Sequence, residues 1–465
     1  MKRRAFLKNL GLGAAGSLVV SCIGKSGNET SETTPTHHKK GPMTMRTNPN
    51  SGDAVSILGY GCMRLPALEL DDDDTSDKYN VDQEELNRHV DYAIENGVNY
   101  FDTSPAYCKG ESEAAMGIAL SRHPRNKYFI ATKLSNFAPS TWPREQSIAM
   151  FENSLKLLKT DYIDYLLLHA IGMPNGELDG MQAFEERYIK NGILDWLEQQ
   201  RKAGRIRNLG FSYHGDVAVF DRMLQEMDQG KRHWDFVQIQ LNYVDWENAK
   251  TVNARNTNAQ YLYSELAKRN IPVVIMEPLL GGRLADVPTA IAAQMKQRRP
   301  DDSAAAWAFR FAGTPEKILT ILSGMTYMEH LQQNVNTFLS LDPITSDEND
   351  FLLRIGADMS QNDVVPCTGC SYCMPCPFGL DIPTIFDFYN RCINDDAVPH
   401  DKRHPRYAQA RRQFLIGMDR EIPRNRQAAH CIACGECLNH CPQGIPIPDK
   451  MRAIDTYTKQ LRSKA

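Results

Sequence analysis

Between residues 56 and 341, short apolar runs alternate with amphipathic stretches eight times over. The apolar runs fall at 56–63, 100–104, 128–135, 163–170, 207–213, 236–242, 272–279 and 317–324, and each precedes a helix-like segment. Runs such as Tyr165-Leu166-Leu167-Leu168 and Val273-Val274-Ile275-Met276 show no polar alternation, as in parallel strands buried on both faces. The segments between them space apolar residues three and four apart, as at Leu86, Val90, Ala93 and Ile94. Leu194 and Leu197 follow the same rule, and Ala203-Gly204 ends that helix. Eight such units predict an α/β chain folded as a (β/α)8 TIM barrel rather than an open sheet. Beyond Thr345 the pattern changes to short helical stretches, polar loops and cysteine runs, which predicts a small, mainly helical second domain over 342–465.

The chain has 465 residues, enough for one large core and a smaller unit. Lys and Arg total 53 against 57 Asp and Glu, a net charge of -4 that gives no footprint for nucleic acid. No apolar run reaches membrane-spanning length, which excludes a polytopic protein. Residues 1–22 read as a signal segment: Met1-Lys2-Arg3-Arg4-Ala5-Phe6-Leu7-Lys8, an apolar glycine-rich stretch, then Ser21-Cys22. Arg3-Arg4 with Phe6-Leu7-Lys8 resembles a twin-arginine (Tat) export signal, although Lys2 stands where Ser or Thr is usual. Val19-Val20-Ser21-Cys22 resembles a lipobox, which implies a lipidated Cys22 as the membrane contact of a periplasmic or envelope lipoprotein. Residues 23–48 are polar and are expected to form a disordered tether.

Eight of the twelve cysteines lie in two runs. Cys367, Cys370, Cys373 and Cys376 are spaced by two residues throughout, and Cys431, Cys434, Cys437 and Cys441 leave three before the last. A proline follows each final cysteine. Thiolates two residues apart on a tight loop can converge on one cubane, so the runs point to iron–sulfur clusters, with zinc sites or disulfides as the other uses of close cysteines. The second run has the full bacterial ferredoxin spacing and the first departs from it by one residue.

The polar residues at the strand ends carry the candidate chemistry. Asp102 ends the second strand with Tyr107 just beyond it, Lys133 nears the end of the third, and His169 ends the fourth. Active sites of such barrels sit at that C-terminal face. At these positions residues 45–341 resemble the aldo-keto reductases, whose Asp, Tyr, Lys and His tetrad maps onto Asp102, Tyr107, Lys133 and His169. The resemblance implies NAD(P)(H) as cofactor and a small carbonyl or hydroxyl compound as substrate. Reduction leaves an alkoxide that must gain a proton, and Tyr107 is a suitable donor if Lys133 lowers its pKa. Asp102 would hold Lys133, and neutral His169 would hydrogen-bond the carbonyl oxygen.

The same resemblance assigns Ser212, in Phe211-Ser212-Tyr213-His214, and Gln238 to the carboxamide, with Asn242 completing a Gln-x-x-x-Asn pattern. Gly281 and Gly282, in Met276-Glu277-Pro278-Leu279-Leu280-Gly281-Gly282, would lie against the pyrophosphate. Ser323, Gly324, Gln333 and Asn334 would take the adenosine end. Gly324 and His330 stand where many relatives place cations for a 2′-phosphate, so NADP is not implied over NAD.

The C-terminal runs resemble the ferredoxin-type 4Fe-4S dicluster domain found fused to such barrels. That resemblance implies two clusters with crossed ligands, one on Cys367, Cys370, Cys373 and Cys441 and the other on Cys431, Cys434, Cys437 and Cys376. Cys62, Cys108 and Cys392 fall outside both sets. The basic stretch 403–412 reads as a solvated helix face, or as a docking patch for a redox partner protein. The leading expectation is an exported oxidoreductase, and the rival is an electron-transfer or interaction protein with a silent barrel. Export raises a difficulty, because free nicotinamide is not expected outside the cytoplasm and no flavin fingerprint joins hydride to one-electron chemistry. The loop 171–190 carries no pattern that names a substrate.

Overall fold

A computed structural model describes residues 41–68, 79–253, 255–361, 364–395, 397–399 and 402–463. The expected export signal, the expected lipobox with Cys22 and residues 23–40 of the expected tether lie outside them. Two short strands open the described chain: β1 (Met45–Thr47) pairs antiparallel with β2 (Ala54–Ser56). Eight parallel strands then close a barrel: β3 (Leu58–Gly61), β4 (Tyr100–Asp102), β5 (Phe129–Leu134), β6 (Ile163–Ile171), β7 (Ile206–Tyr213), β8 (Phe236–Gln240), β9 (Val273–Met276) and β10 (Ile318–Gly324). β10 pairs with β3, so the sheet has no edge. Every barrel strand lies within its expected run or exceeds it by one residue.

Two boundaries differ from expectation. The tether does not extend to Asn48: Met43 is buried, Met45–Thr47 pairs in the hairpin, and Asn48 is buried with its Nδ2 donating to the Tyr165 hydroxyl (3.2 Å). Backbone pairing and one buried amide order a segment whose composition is polar. The barrel also does not stop at 341. Helix Ser346–Ser360 starts at a Thr345 capping box and buries Phe351, Leu352, Ile355 and Met359 in the barrel's own core. Each such side chain contributes about 1.5–3 kcal/mol of burial.

The C-terminal segment has a separate core. Helices Ile382–Asn394, Tyr407–Glu421 and Ile447–Arg462 bring together Ile385, Phe386, Phe388, Phe414, Met418, Met451 and Ile454. No strand follows Gly324 among the described residues. The basic stretch runs into helix Tyr407–Glu421, where Arg411 donates to the Leu461 carbonyl (2.6 Å). Among the described residues no helix is long and apolar enough to cross a membrane.

Barrel and cluster domain belong to one unit, Lys39–Ala465. The Arg64 guanidinium donates to the Thr368 carbonyl, and Asn256 Nδ2 donates to Gln443 Oε1 (3.1 Å). Gln443 Nε2 in turn donates to Gln240 Oε1 (3.2 Å), at the end of β8. Gly281 has φ +70°, and a Cβ there would come within 2.3 Å of Thr368 Cα. Its lack of a side chain admits the cysteine loop of the second domain, where a pyrophosphate contact was expected.

Candidate active site

Strand pairing assembles the tetrad. Asp102 lies opposite Ala131 of β5, and two residues on Lys133 lies opposite Leu167 of β6, so Asp102, Lys133 and His169 end three adjacent strands. Lys133 Nζ donates to Asp102 Oδ1 (2.6 Å) and to the Thr103 carbonyl (2.9 Å), with both side chains buried. Its ammonium stands 4.7 Å from the Tyr107 ring centroid. The Tyr107 and His169 rings meet edge to face, 6.0 Å apart. A turn with positive φ at Cys108 and Lys109 follows Tyr107 and returns the chain to helix Ser112–Leu120.

Burial raises the Asp102 carboxyl and Lys133 opposes that shift. Tyr107 departs from expectation. Burial, followed by the negative charge of Asp102, holds its phenol well above its ordinary value rather than below it. Tyr107 therefore stands as a neutral phenol that holds its proton. His169 is driven far below its usual pKa by burial and then by the Lys133 and Arg187 cations, so its imidazole is neutral.

Sequence reasoning missed the groups that orient His169. Ser104 Oγ accepts from Ala106 N–H (3.1 Å), Ser104 and Ser135 hydroxyls are 2.8 Å apart, and Ser135 Oγ lies 2.7 Å from His169 Nδ1. If the chain donates from Ser104 to Ser135 to Nδ1, every hydroxyl proton has an acceptor. In the opposite direction the Ser104 proton has none among these partners. The network thus assigns the imidazole proton to Nε2. From the loop 171–190, Arg187 Nη2 (2.7 Å) and the Tyr188 hydroxyl (3.2 Å) both donate to the His169 carbonyl. No local pattern marks these four residues, because their partners are distant in sequence.

A cavity of about 410 Å³ opens at the tetrad. Asp102, Tyr107, His169, Ser212, Gln238, Gly281, Gly282, Ser323, Gly324, Gln333 and Asn334 line it, together with Thr368, Cys370, Tyr372, Pro442 and Gln443 of the cluster domain. Lys133 stands behind Asp102 and Tyr107 rather than in the wall. Asn242 is also absent from the wall. Its Nδ2 donates to Asp245 Oδ2 (2.7 Å) and to the Glu277 carbonyl (3.1 Å), and its Oδ1 accepts from Val244 and Asp245 N–H, so it braces the loop after β8.

The remaining polar groups fit a nicotinamide carboxamide. Gln238 Oε1 is buried without a partner, an acceptor suited to an amide N–H. Ser212 Oγ accepts from Ala170 N–H (2.8 Å) and keeps its own proton to donate to an amide carbonyl. Ser323 Oγ likewise accepts from Asn334 Nδ2 (3.0 Å) and keeps a free proton. Gly282, at φ +103°, has open space where a Cβ would stand.

Residues 58–352, well over half of the chain, match the aldo/keto reductase family. The chain belongs to that family. L-galactose dehydrogenase of Arabidopsis thaliana is 23% identical over 65% of this chain and 91% of its own length. An aldo-keto reductase of Mycolicibacterium smegmatis is 29% identical over 37% of this chain, which thereby spans only 50% of that relative. D-arabinose 1-dehydrogenase of Saccharomyces cerevisiae is 32% identical over 26% of this chain and 35% of its own. Among solved structures, aldo-keto reductase AKR11C1 of Bacillus halodurans in its holo form is 20% identical with a TM-score of 0.50, covering 67% of this chain and 96% of its own. That likeness shows the barrel fold.

Residues 366–445 match a 4Fe-4S dicluster domain. Thiols of the two runs act on one another across the sequence. Burial raises Cys367 to about 11 and Cys370 to about 12, and among the thiols that push each higher Cys441 comes first. Burial also raises Cys373, with Cys370, Cys367 and Cys441 adding to it. Cys437 is raised to about 11 by burial and then by Cys431, Cys434 and Cys376. Cys441 thus acts on all three leading thiols of the first run and Cys376 on Cys437, the pairs that the crossed sets would need, while Cys437 also acts on Cys373. Crowded, buried thiols resist ionisation even where Arg64 and Arg255 oppose the shift at Cys367 and Cys441, and bound iron would reverse that balance. Among the described residues no three His, Cys, Asp or Glu side chains converge tightly enough for one ion. Cubane ligands stand farther apart, one on each iron.

Proposed function

We propose that the protein is an exported, nicotinamide-dependent oxidoreductase that interconverts a carbonyl and an alcohol on a small hydroxylated molecule. The observation that carries this reading is the orphan acceptor of Gln238 beside the free donor of Ser212, in one cavity with Tyr107 and His169. Bound nicotinamide supplies or removes the hydride. His169 donates its Nε2 proton toward the substrate oxygen, where negative charge grows during reduction. Tyr107 passes its phenolic proton to that oxygen and recovers it in the reverse direction. Lys133, fixed by Asp102 and Thr103, sets a cation beside the ring that becomes a phenolate, so it acts during transfer and not before it. The relatives named for L-galactose and D-arabinose oxidation support a sugar-like substrate.

The second domain carries two 4Fe-4S clusters on the crossed ligand sets, for electron exchange with a redox partner or to pin the domain. The residues at 1–22 support export by the twin-arginine route and anchoring through Cys22. Anaerobic purification followed by iron, sulfide and nicotinamide analysis tests the reading. About eight irons and eight sulfides are expected, with NADH or NADPH consumed when glyceraldehyde is added. Zinc without sulfide, or no nicotinamide turnover, overturns it. Arg3→Lys with Arg4→Lys should retain the protein in the cytoplasm, and Cys22→Ala should free exported protein from the membrane. A wild type found soluble in the cytoplasm refutes the address.

A further inference from the structure

The cavity at the tetrad is not built by the barrel alone. Thr368, Cys370 and Tyr372 come from the first cysteine loop, and Pro442 and Gln443 follow the last cysteine of the second run. These residues are held against the barrel by one close backbone approach and by side-chain hydrogen bonds. Thr368 lies against Gly281 so closely that no side chain fits between them, its carbonyl accepts from Arg64, and Gln443 uses both ends of its amide on Asn256 and Gln240. The loop is therefore a fixed wall of the pocket.

Within that wall two side chains keep an unused polar end. Thr368 Oγ1 is buried without a partner, beside Gly281 and Arg64. Tyr372 is the one at the chemistry. Its ring packs on Phe137 (6.1 Å between centroids), and Phe137 packs on His169 (4.8 Å). The same His169 receives Tyr107 on another side. The Tyr372 side chain lines the cavity, and its hydroxyl has no hydrogen-bond partner among the described residues. Tyr372 is half-buried, and a phenol that lines a cavity without a protein partner can hydrogen-bond a ligand that displaces water from it.

We propose that Tyr372, carried by the cluster domain, is a specificity-determining residue of the barrel's active site, contacting a substrate hydroxyl across the cavity from Tyr107. This rests on the carbonyl–alcohol reading above and deepens it: the ligand is a hydroxylated carbonyl compound, and one of its contacts is delivered by the cysteine loop. The loop that ligates a cluster through Cys370 thus also shapes the pocket two residues later.

The test compares Tyr372→Phe and Tyr372→Ala with wild type as cluster-loaded, full-length protein. Glyceraldehyde is the hydroxylated probe and nitrobenzaldehyde the probe without a hydroxyl. NADH and NADPH binding is read by fluorescence titration, and cluster content by visible absorbance and iron. Tyr372→Phe keeps the ring on Phe137 and should raise KM for glyceraldehyde about tenfold while leaving KM for nitrobenzaldehyde within about twofold. Nicotinamide affinity and iron should match wild type. Tyr372→Ala should weaken both probes. An unchanged glyceraldehyde KM in Tyr372→Phe, or equal losses on both probes in that variant, overturns the assignment. Should Tyr372→Ala lose iron, Tyr372→Phe decides alone. Wild type that reduces neither probe, or turnover that survives Tyr107→Phe, overturns the underlying reading of function instead, and this inference with it.

Discussion

The two ends of the barrel treat buried polar groups in opposite ways. At the N-terminal end, Asp164 spends both oxygens: Oδ2 accepts from Arg125 Nη2 (2.5 Å) and Ile130 N–H (2.9 Å), and Oδ1 accepts from Arg207 Nη1 (3.0 Å). Asp235 Oδ2 accepts from Arg201 Nη1 (2.9 Å) and Leu209 N–H (2.8 Å), and the β1–β2 hairpin covers that end through Asn48 and Asn50. Arg46 Nε and the Tyr100 hydroxyl are its exceptions. At the C-terminal mouth, by contrast, Asp102 Oδ2, Gln238 Oε1 and Thr368 Oγ1 are all buried and unpaired. Saturated groups stabilise a fold, and unsaturated ones wait for a ligand. The contrast separates the end that keeps the barrel closed from the end that does chemistry.

The sharpest break of that contrast is Tyr107→Phe. It should lower carbonyl turnover by about 10²–10⁴-fold while nicotinamide affinity, measured by fluorescence titration, and melting temperature stay near wild type. Asp164→Ala should do the reverse. Removing the shared acceptor takes one partner each from Arg125 and Arg207 and leaves the Ile130 N–H unsatisfied, at a cost of about 3 kcal/mol in denaturant unfolding, with turnover below the melting range within about twofold of wild type.

Glu113 lies between the two cases. Its buried carboxyl accepts from Thr132 Oγ1 (2.6 Å) and Ser154 Oγ (3.1 Å), and burial raises it from 4.5 to about 7 despite those bonds. Between those values the unfolded chain has released a proton that the folded chain keeps, so stability should fall as pH rises through that window. Glu113→Gln should flatten this slope, a difference on the order of 2 kcal/mol by the upper end. Melting temperature followed from mildly acidic to neutral pH reads it, and a slope unchanged in the variant refutes the buried titration. The smallest effect is expected at Gln238→Leu. It removes the orphan acceptor without a cavity and should weaken nicotinamide binding by about 1 kcal/mol, near fivefold, with no loss of stability. A stability loss without a change in affinity would show that Gln238 serves the core.

Much of this was legible along the chain. Parallel strands buried on both faces write themselves as unbroken apolar runs, and Asp102, Lys133 and His169 stand at the ends of three of them. The hairpin was not legible, because Met45-Arg46-Thr47 is held by backbone pairing and its side chains are mostly outside. Nor was the reach of the barrel to Ser360, since an amphipathic helix does not announce which core it serves. Asn242 was assigned by motif, but a short polar side chain two residues past a strand satisfies its own loop first. Ser135 and Tyr372 carry no signal of their own. Each matters through a neighbour that only the closed barrel and the docked loop bring close.

One position ties the two domains to each other. Residue 281 is bare on two counts: its backbone sits at φ +70°, and a methyl group there would stand 2.3 Å from Thr368 Cα. With the loop seated on that glycine, neither half can be exchanged freely: any barrel that brought a side chain to this position would prise the cysteine loop off its seat. The two halves fit as a matched pair, and the token of that fit in the barrel is a missing carbon.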